Sequence, residues 1–541
     1  MFRTHIQVVA FIGLMAMFFA SSVLIAQDDK GKPKKGESDD TKVELIKAGS
    51  IFFKDGLRYV KPGAGAPRVV FKRDSTMLYC DLATQNPETE DMAAYGNVII
   101  EENPQKRVTA DTLFYTSTSG IAELRGNVVL VDSANTLKTQ HLYYDMNSGN
   151  AYYLTGGNLV TDEMNLSSKK GYYRPNQEMI AFKTDVVMVD RDKGQRLETD
   201  SLRYFTVTKD AFFEGFTTIT SPDGVLKASK GKYNTVTEKT TFEGNTTVDS
   251  KDYSLKGDLL KRDKLTDYNI VSGNVELYSK QEFATVYGDE LRYQQEYSNS
   301  KVYGYPYMKR PFGTTDSLFL AADTLLTIND TINNIRQLHA YANVKIYSNE
   351  MQGICDSLVY DYNDSTLTLF QDPVIWNGFN QIKAEKIVAY IANQTIDSLF
   401  LEKNAFVIQQ DTLKNYNQIK GREITAKVKG KDLDWLYVNG NSQTLYFSLQ
   451  GDSLLMGMNK IECANMLMTF ADSSQLLSIS ARKAPNAKFT PTHLMLEPET
   501  RLKGFRLRYK ERPEKFWITD KKTRMEIEDE KKVKPKPKPK S

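Results

Sequence analysis

Ala110-Asp-Thr-Leu-Phe-Tyr115 and, sixteen residues on from its start, Gly126-Asn-Val-Val-Leu130 are the two runs whose reading decides the fold. The first recurs as Thr199-Asp-Ser-Leu-Arg-Tyr204, Gly288-Asp-Glu-Leu-Arg-Tyr293 and Cys355-Asp-Ser-Leu-Val-Tyr360, with weaker copies between. Its first positions are Cys80, Ala110, Thr139, Ser168, Thr199, Ala228, Gly257, Gly288, Ala322, Cys355, Ala384, Gly421 and Cys463. The first seven gaps are 29 to 31 residues, and later ones stretch to 42. The second run recurs as Gly96-Asn97, Gly157-Asn158, Gly244-Asn245 and Gly273-Asn274. Glycine takes positive φ and Asn bonds its own local backbone, so the pair suits a sharp bend or bulge in a long strand.

A period near 30 marks a repeat architecture. Apolar Leu202 and Tyr204 alternate with polar Ser201 and Arg203, and β-branched and aromatic residues are dense. This is strand periodicity and excludes helical repeats. The chain is therefore read as all-β, with about 13 two-stranded repeats, or about 26 strands in series. At ~4.8 Å per strand these extend roughly 120 Å, an elongated, solenoid-like trough. The cysteines all fall on the small first position and read as buried core residues.

Composition narrows the function. Of 541 residues, 71 are Lys or Arg and 68 Asp or Glu. Six Lys lie in 531–541 and one Arg in 1–26, so the body 27–530 carries −4. That balance opposes nucleic-acid binding, which needs a basic face. Four scattered His and three Cys give no metal-ligand spacing, and no metal or cofactor is expected. Acids recur with the repeat and form no unique cluster, so no catalytic residue is assigned and an enzyme on a β-helix is disfavoured. The polar segment Glu238–Asp252 cannot supply the lipid-facing band of an outer-membrane barrel.

The ends differ from the body. Residues 1–26, with Arg3 and then an apolar stretch, read as a signal peptide. Residues 27–42 read as a disordered linker. Residues 43–430 hold the repeat array and 431–512 further strands or a β cap. Residues 513–541, ending in alternating Lys and Pro, read as a disordered tail.

In the clear repeats the fourth and sixth positions share a face, taken as inward. The acid at position two shares that parity and is expected near the strand end, where it reaches water. An inward apolar stripe is either a closed core or an open groove for an apolar guest, and periodicity does not separate them.

The alternation of Ala-Asp-x-Leu-x-Tyr with Gly-Asn-Val strands over about residues 43–430 resembles the OstA/LptA-like proteins of lipopolysaccharide transport. Val43-Glu-Leu-Ile-Lys-Ala-Gly-Ser50, leading to Met77-Leu-Tyr-Cys-Asp81, looks like the start of the OstA-like N-terminal domain. The resemblance implies a β-jellyroll, a V-shaped trough in the periplasm, with outer-membrane association open. It implies a non-enzymatic carrier that holds lipopolysaccharide acyl chains in an apolar groove. The implied lining is Leu113, Tyr115, Val128, Leu130, Leu142, Tyr144, Leu202, Tyr204, Leu291 and Tyr293. The implied partners are lipopolysaccharide and transport components of the inner and outer membranes, with end-to-end self-association as in the short bridge proteins. The alternative is a lipid-free β-solenoid scaffold or adhesin at the cell envelope.

Overall fold

The computed structural model describes residues 43–533 apart from 74–75, 104–105, 133–134, 162–163, 191–193, 235, 238, 264, 267, 295–298, 313–314, 331, 393–394, 430–431, 452 and 472–474. The expected signal peptide, the leader 27–42 and the Lys-Pro end 534–541 lie outside the described residues. The chain divides into an N-terminal unit, which ends at Lys251 but also takes Asp258–Asp267, and a C-terminal unit of Asp252–Gly257 and everything from Tyr268 on.

Both units are antiparallel sheet. The described residues form 38 strand segments. Ten of these are the second half of a strand broken at its middle, such as Asn299–Tyr303 with Tyr307–Phe312, which leaves 28 long strands. The sequence reading expected about 26.

Every repeat bends at one place. In strand Met92–Asn103, Gly96 (φ 74°) and Asn97 (φ 44°) are consecutive left-handed residues, and the pairing with Lys106–Thr116 slips there. The same pair of left-handed residues stands at Gly126-Asn127, Gly244-Asn245 and Gly273-Asn274. Gly157-Asn158 was expected to be another, but the left-handed residue there is Gly156 (φ 99°), one position earlier. That strand is broken between Ala151–Tyr153 and Gly157–Val160, so the bend falls in the gap. Thr184-Asp185, Ala342-Asn343, Gln371-Asp372, Lys403-Asn404 and Gly440-Asn441 make the same bend without a matching signature or outside the runs quoted.

The bend folds each ribbon into two walls. Ala94 opposite Leu113 lies in the first wall, and Val98 opposite Ala110 in the second. The inner faces of the two walls meet in each unit's core. In the N-terminal unit, Leu166, Met188, Leu197 and Ile219 of the second wall pack with Leu202, Tyr204, Tyr233 and Phe242 of the first, all without exposed surface.

The small first position occupies the inside of the bend. All thirteen such residues are buried except the half-buried Gly288. The space is tight: a Cβ on Gly421 would stand 2.3 Å from Val438 Cγ1, and one on Gly257 2.4 Å from Val271 Cγ1. Cys80, Cys355 and Cys463 are free and buried at this corner. Burial pushes the Cys355 thiol up to about 12 and the Cys80 thiol up to about 11.

The acid at position two differs from expectation. It sits at the middle of the strand, on the outside of the bend, and not at the strand end. Opposite the left-handed pair this strand runs one residue shorter, Ala110 to Leu113 against Val98 to Ala94, so inward positions one and four are three apart: Ala110 and Leu113 are both buried while Asp111 is exposed. There the carboxylate accepts from the Asn of the next bend: Asn127 Nδ2 donates to Asp111 Oδ2 at 2.9 Å, and Asn97 Nδ2 to Asp81 Oδ2 at 2.7 Å. Glu385 and Asn404 repeat the bond at 2.6 Å. Water keeps the charge solvated while the bond fixes the bend.

The C-terminal unit adds a layer. After the strand Asn486–Pro491 the chain runs back over the outer face of the second wall, through the 3-10 turns Glu497–Thr500 and Tyr509–Glu511. Two buried glutamines grip its backbone. Gln418 Nε2 donates to Thr500 O (2.9 Å) while its Oε1 accepts from Leu502 N (2.8 Å). Gln381 does the same for Arg506 O (2.8 Å) and Arg508 N (2.7 Å). Leu502, Phe505 and Leu507 cover Phe406, Ile408, Leu445 and Phe447. Residues 513–533, expected to be disordered, are helical instead, in Phe516–Thr519 and Lys521–Val533. Two anchors account for this. Ile518 is fully buried against Phe319 and Ala321, and Arg524 donates to Pro306 O (3.0 Å) and Ala322 O (2.8 Å).

Asn127→Ala removes both the bond to Asp111 and a residue tolerant of positive φ, and is expected to cost about 1–2 kcal/mol. Urea unfolding measures it, with Thr118→Ala as a neutral control; equal stability of the two would refute the bend's role. Ending the chain at Pro491 is expected to expose Trp376, which is fully buried, and to shift its fluorescence to the red. Unchanged Trp376 emission would mean that the returning segment does not cover that face.

Candidate functional site

The ten residues expected to line one groove fall into separate places. Leu113, Val128 and Leu142 are buried in one core cluster of the N-terminal unit, with Tyr115 and Leu130 packed against it. Leu202 and Tyr204 belong to another cluster and have no exposed surface. Tyr144 is 37% exposed, near its strand end at the mouth between the walls. Leu291 and Tyr293 are buried in the C-terminal unit. Around Leu202 the interior is filled by Phe182, Phe213, Tyr233 and Phe242. At the mouth Arg73, on the second wall, donates to the Tyr115 hydroxyl of the first wall at 3.4 Å.

The C-terminal unit holds open space instead. Between its walls lies a cavity of about 220 Å³. The second wall contributes Met308, Leu318, Leu320, Ile346, Met351 and Ile375, and the first wall Leu358, Leu367, Leu369, Ala389 and Ile391. Strand alternation places them: Leu320 pairs with Met308 and Ile346, and Leu367 with Tyr360 and Ala389, so each set shares one face. Polar groups gather towards the mouth, as Arg310, Tyr360 and Tyr362. Burial, with Glu282 nearby, pushes the Tyr362 hydroxyl up to about 12, which keeps it a neutral donor. The arrangement offers an apolar volume with a polar rim. It suits an aliphatic guest.

None of these cavity residues was among the ten expected. Leu358 and Tyr360 stand in a clear copy of the six-residue signature, and Thr366-Leu-Thr-Leu-Phe370 alternates as an inward strand should. The residues were therefore readable as inward, but not as lining a void. Among the described residues no group of three or more His, Cys, Asp or Glu is placed to hold a metal, and no helix is long and apolar enough to cross a membrane.

An engineered apolar cavity of about 150 Å³ stays dry and binds benzene. The larger space here is expected to do the same: benzene should raise the melting temperature of the protein, and Leu367→Trp should abolish the rise. No shift in the unsubstituted protein would show that the space is not available to an apolar guest.

Three families match successive parts of the chain. The family described as OstA-like protein matches residues 41–194, and the LptC-related lipopolysaccharide-assembly family matches 150–249. The family described as LptA/(LptD N-terminal domain) LPS transport protein matches 313–395, which takes in the cavity residues from Leu318 to Ile391. No curated protein matches. Among solved structures, the crystal structure of LptH, the LptA homologous periplasmic component of the conserved lipopolysaccharide transport device from Pseudomonas aeruginosa, is similar at 13% identity, covering 27% of this chain and 80% of that chain with a TM-score of 0.16. OstA-like, LptC-related and LptA/LptD N-terminal segments thus follow one another along a single β-repeat chain, which over these stretches is similar to proteins of lipopolysaccharide transport.

Proposed function

We propose that the chain is a non-enzymatic carrier that holds lipopolysaccharide by its acyl chains, as part of a periplasmic bridge between inner- and outer-membrane transport components. The observation that carries the reading is the apolar cavity between the walls of the C-terminal unit, most of whose lining lies in the segment that matches the LptA/LptD N-terminal family. Each methylene moved from water into such a space gains about 0.8 kcal/mol, so a few carbons suffice to hold a chain. Aliphatic walls make no directional bonds, so a chain can slide with little change in energy. Direction must then come from the partners at either end.

A second reading, a lipid-free scaffold, is favoured by one observation. In the N-terminal unit the interior around Leu202 is filled by the protein's own aromatic side chains. Under the carrier reading, these walls must part before a chain enters there.

Photocrosslinking in the native cell tests both. A probe at Leu358 faces the cavity; one at Val359, its outward neighbour, is the control; Leu202 with Arg203 makes the same pair in the N-terminal unit. The carrier reading expects a lipopolysaccharide adduct at 358 and none at 359. Adducts at 358 but not 202 would confine the guest to the C-terminal unit. Well-expressed protein with no adduct at 358 or 202 would leave the scaffold.

A further inference from the structure

The cavity's mouth carries a charge arrangement that a purely apolar conduit does not need. Arg310 is the one charged residue among the described residues lining the cavity. It lies near the end of strand Tyr307–Phe312 in the second wall, on the inward face two residues beyond Met308. Its guanidinium is 3.4 Å from Glu282 Oε2, and Glu282 sits in the turn between strands Tyr268–Ser279 and Ala284–Gln294 at the lip of the same wall. The other oxygen of Glu282 accepts from Arg336, which stands at the start of strand Ile335–Tyr347 in the first wall. One carboxylate thus joins two arginines across the mouth. Each guanidinium also lies by an aromatic ring of the first wall: Arg310 is 5.9 Å from the centre of Tyr360 and Arg336 is 5.2 Å from that of Tyr362.

The charges do not balance. Among the described ion pairs two guanidiniums share one carboxylate, so these three groups together keep a net positive charge at the cavity mouth. Guanidinium groups are built to take a carboxylate or phosphate through two parallel bonds, and among the described residues the two share Glu282. Both remain reachable, with Arg310 30% and Arg336 41% exposed, while Glu282 is 19% exposed. An apolar volume capped by under-neutralised arginines fits a molecule with the opposite design, an aliphatic chain ending in an anion.

We propose that the Arg310–Glu282–Arg336 bridge is a latch and a recognition point for an anionic amphiphile, whose head displaces Glu282 from Arg310 as its chain enters the cavity. Glu282 holds the place of the anionic head while the site is empty and ties the two walls together. Exchange of one carboxylate for a phosphate or carboxylate on the ligand unties them. This rests on the acyl-chain reading given above and adds to it the head group and the residues that read it.

Binding of dodecyl phosphate and of uncharged dodecyl maltoside to the full chain, below their micellar concentrations, is the test, with inorganic phosphate as competitor. The latch predicts that dodecyl phosphate binds about tenfold tighter than the maltoside. Arg310→Gln should bring the two together, and Glu282→Gln, which keeps both arginines, should strengthen the phosphate about tenfold and leave the maltoside unchanged. Equal binding of the two amphiphiles, unaltered in either variant, would overturn the latch and leave the acyl-chain reading standing. Inorganic phosphate competing as well as dodecyl phosphate would show a free-anion site and also overturn it. No binding of either amphiphile would remove the acyl-chain reading itself.

Discussion

A β-strand that must serve two walls has to turn without losing its hydrogen bonds, and here it does so with two consecutive left-handed residues. That conformation costs an L-residue roughly 1–2 kcal/mol. Gly escapes the cost and Asn reduces it, which is why Gly126-Asn127 and its equivalents recur. The rest follows geometrically. The strand paired with each left-handed pair crosses the corner in one residue fewer, so its side chains at positions one and four, three apart, both point inward. The first must be small because it fills the inside of the angle. The acid between them is thrown outside, where it accepts from the Asn of the next bend and passes the same geometry along the array.

This explains what could be read in the chain and what could not. The small first position, the Leu and Tyr after it and four of the Gly-Asn pairs mark their structural places directly. Thr184-Asp185 and Lys403-Asn404 bend equally well, yet such pairs carry no signature, because the neighbouring strands hold them there against their own preference. The position-two acid was misplaced for a related reason: strict alternation from Leu113 back to Asp111 runs through the bend, where alternation fails. The returning C-terminal segment was invisible for another. Gln381 and Gln418 look like ordinary outward polar residues, and only their bonds to Arg508 and Leu502, over a hundred and over eighty residues away, make them anchors.

Why one interior is filled and the other holds a void follows from side-chain volume. The bend fixes where the walls start, and the inward residues decide whether they meet. In the N-terminal unit the first wall contributes Tyr204, Phe213, Tyr233 and Phe242, which pack in one cluster with Leu166, Met188 and Ile219. In the C-terminal unit the corresponding inward faces offer Leu358, Leu367, Leu369 and Ala389 against Leu320, Ile346 and Met351. Aliphatic side chains on both faces stop short of each other. Unfilled volume on this scale forfeits dispersion contacts and destabilises the fold unless something else occupies it.

The outer layer bears on that cost. A wall with a void on one side lacks packing that a filled core would supply. In the C-terminal unit the second wall recovers burial on its other face, where Ile408 and Phe406 are covered by the returning segment and Ile518 closes over Phe319. The sheet that lines the cavity is thus held from behind, through Gln381, Gln418 and the apolar contacts of Leu502 and Phe505. Support from outside lets the inner face stay unfilled without the wall collapsing into the space. An open apolar interior and a strapped outer face are then two parts of one arrangement, and the second is the physical condition for the first.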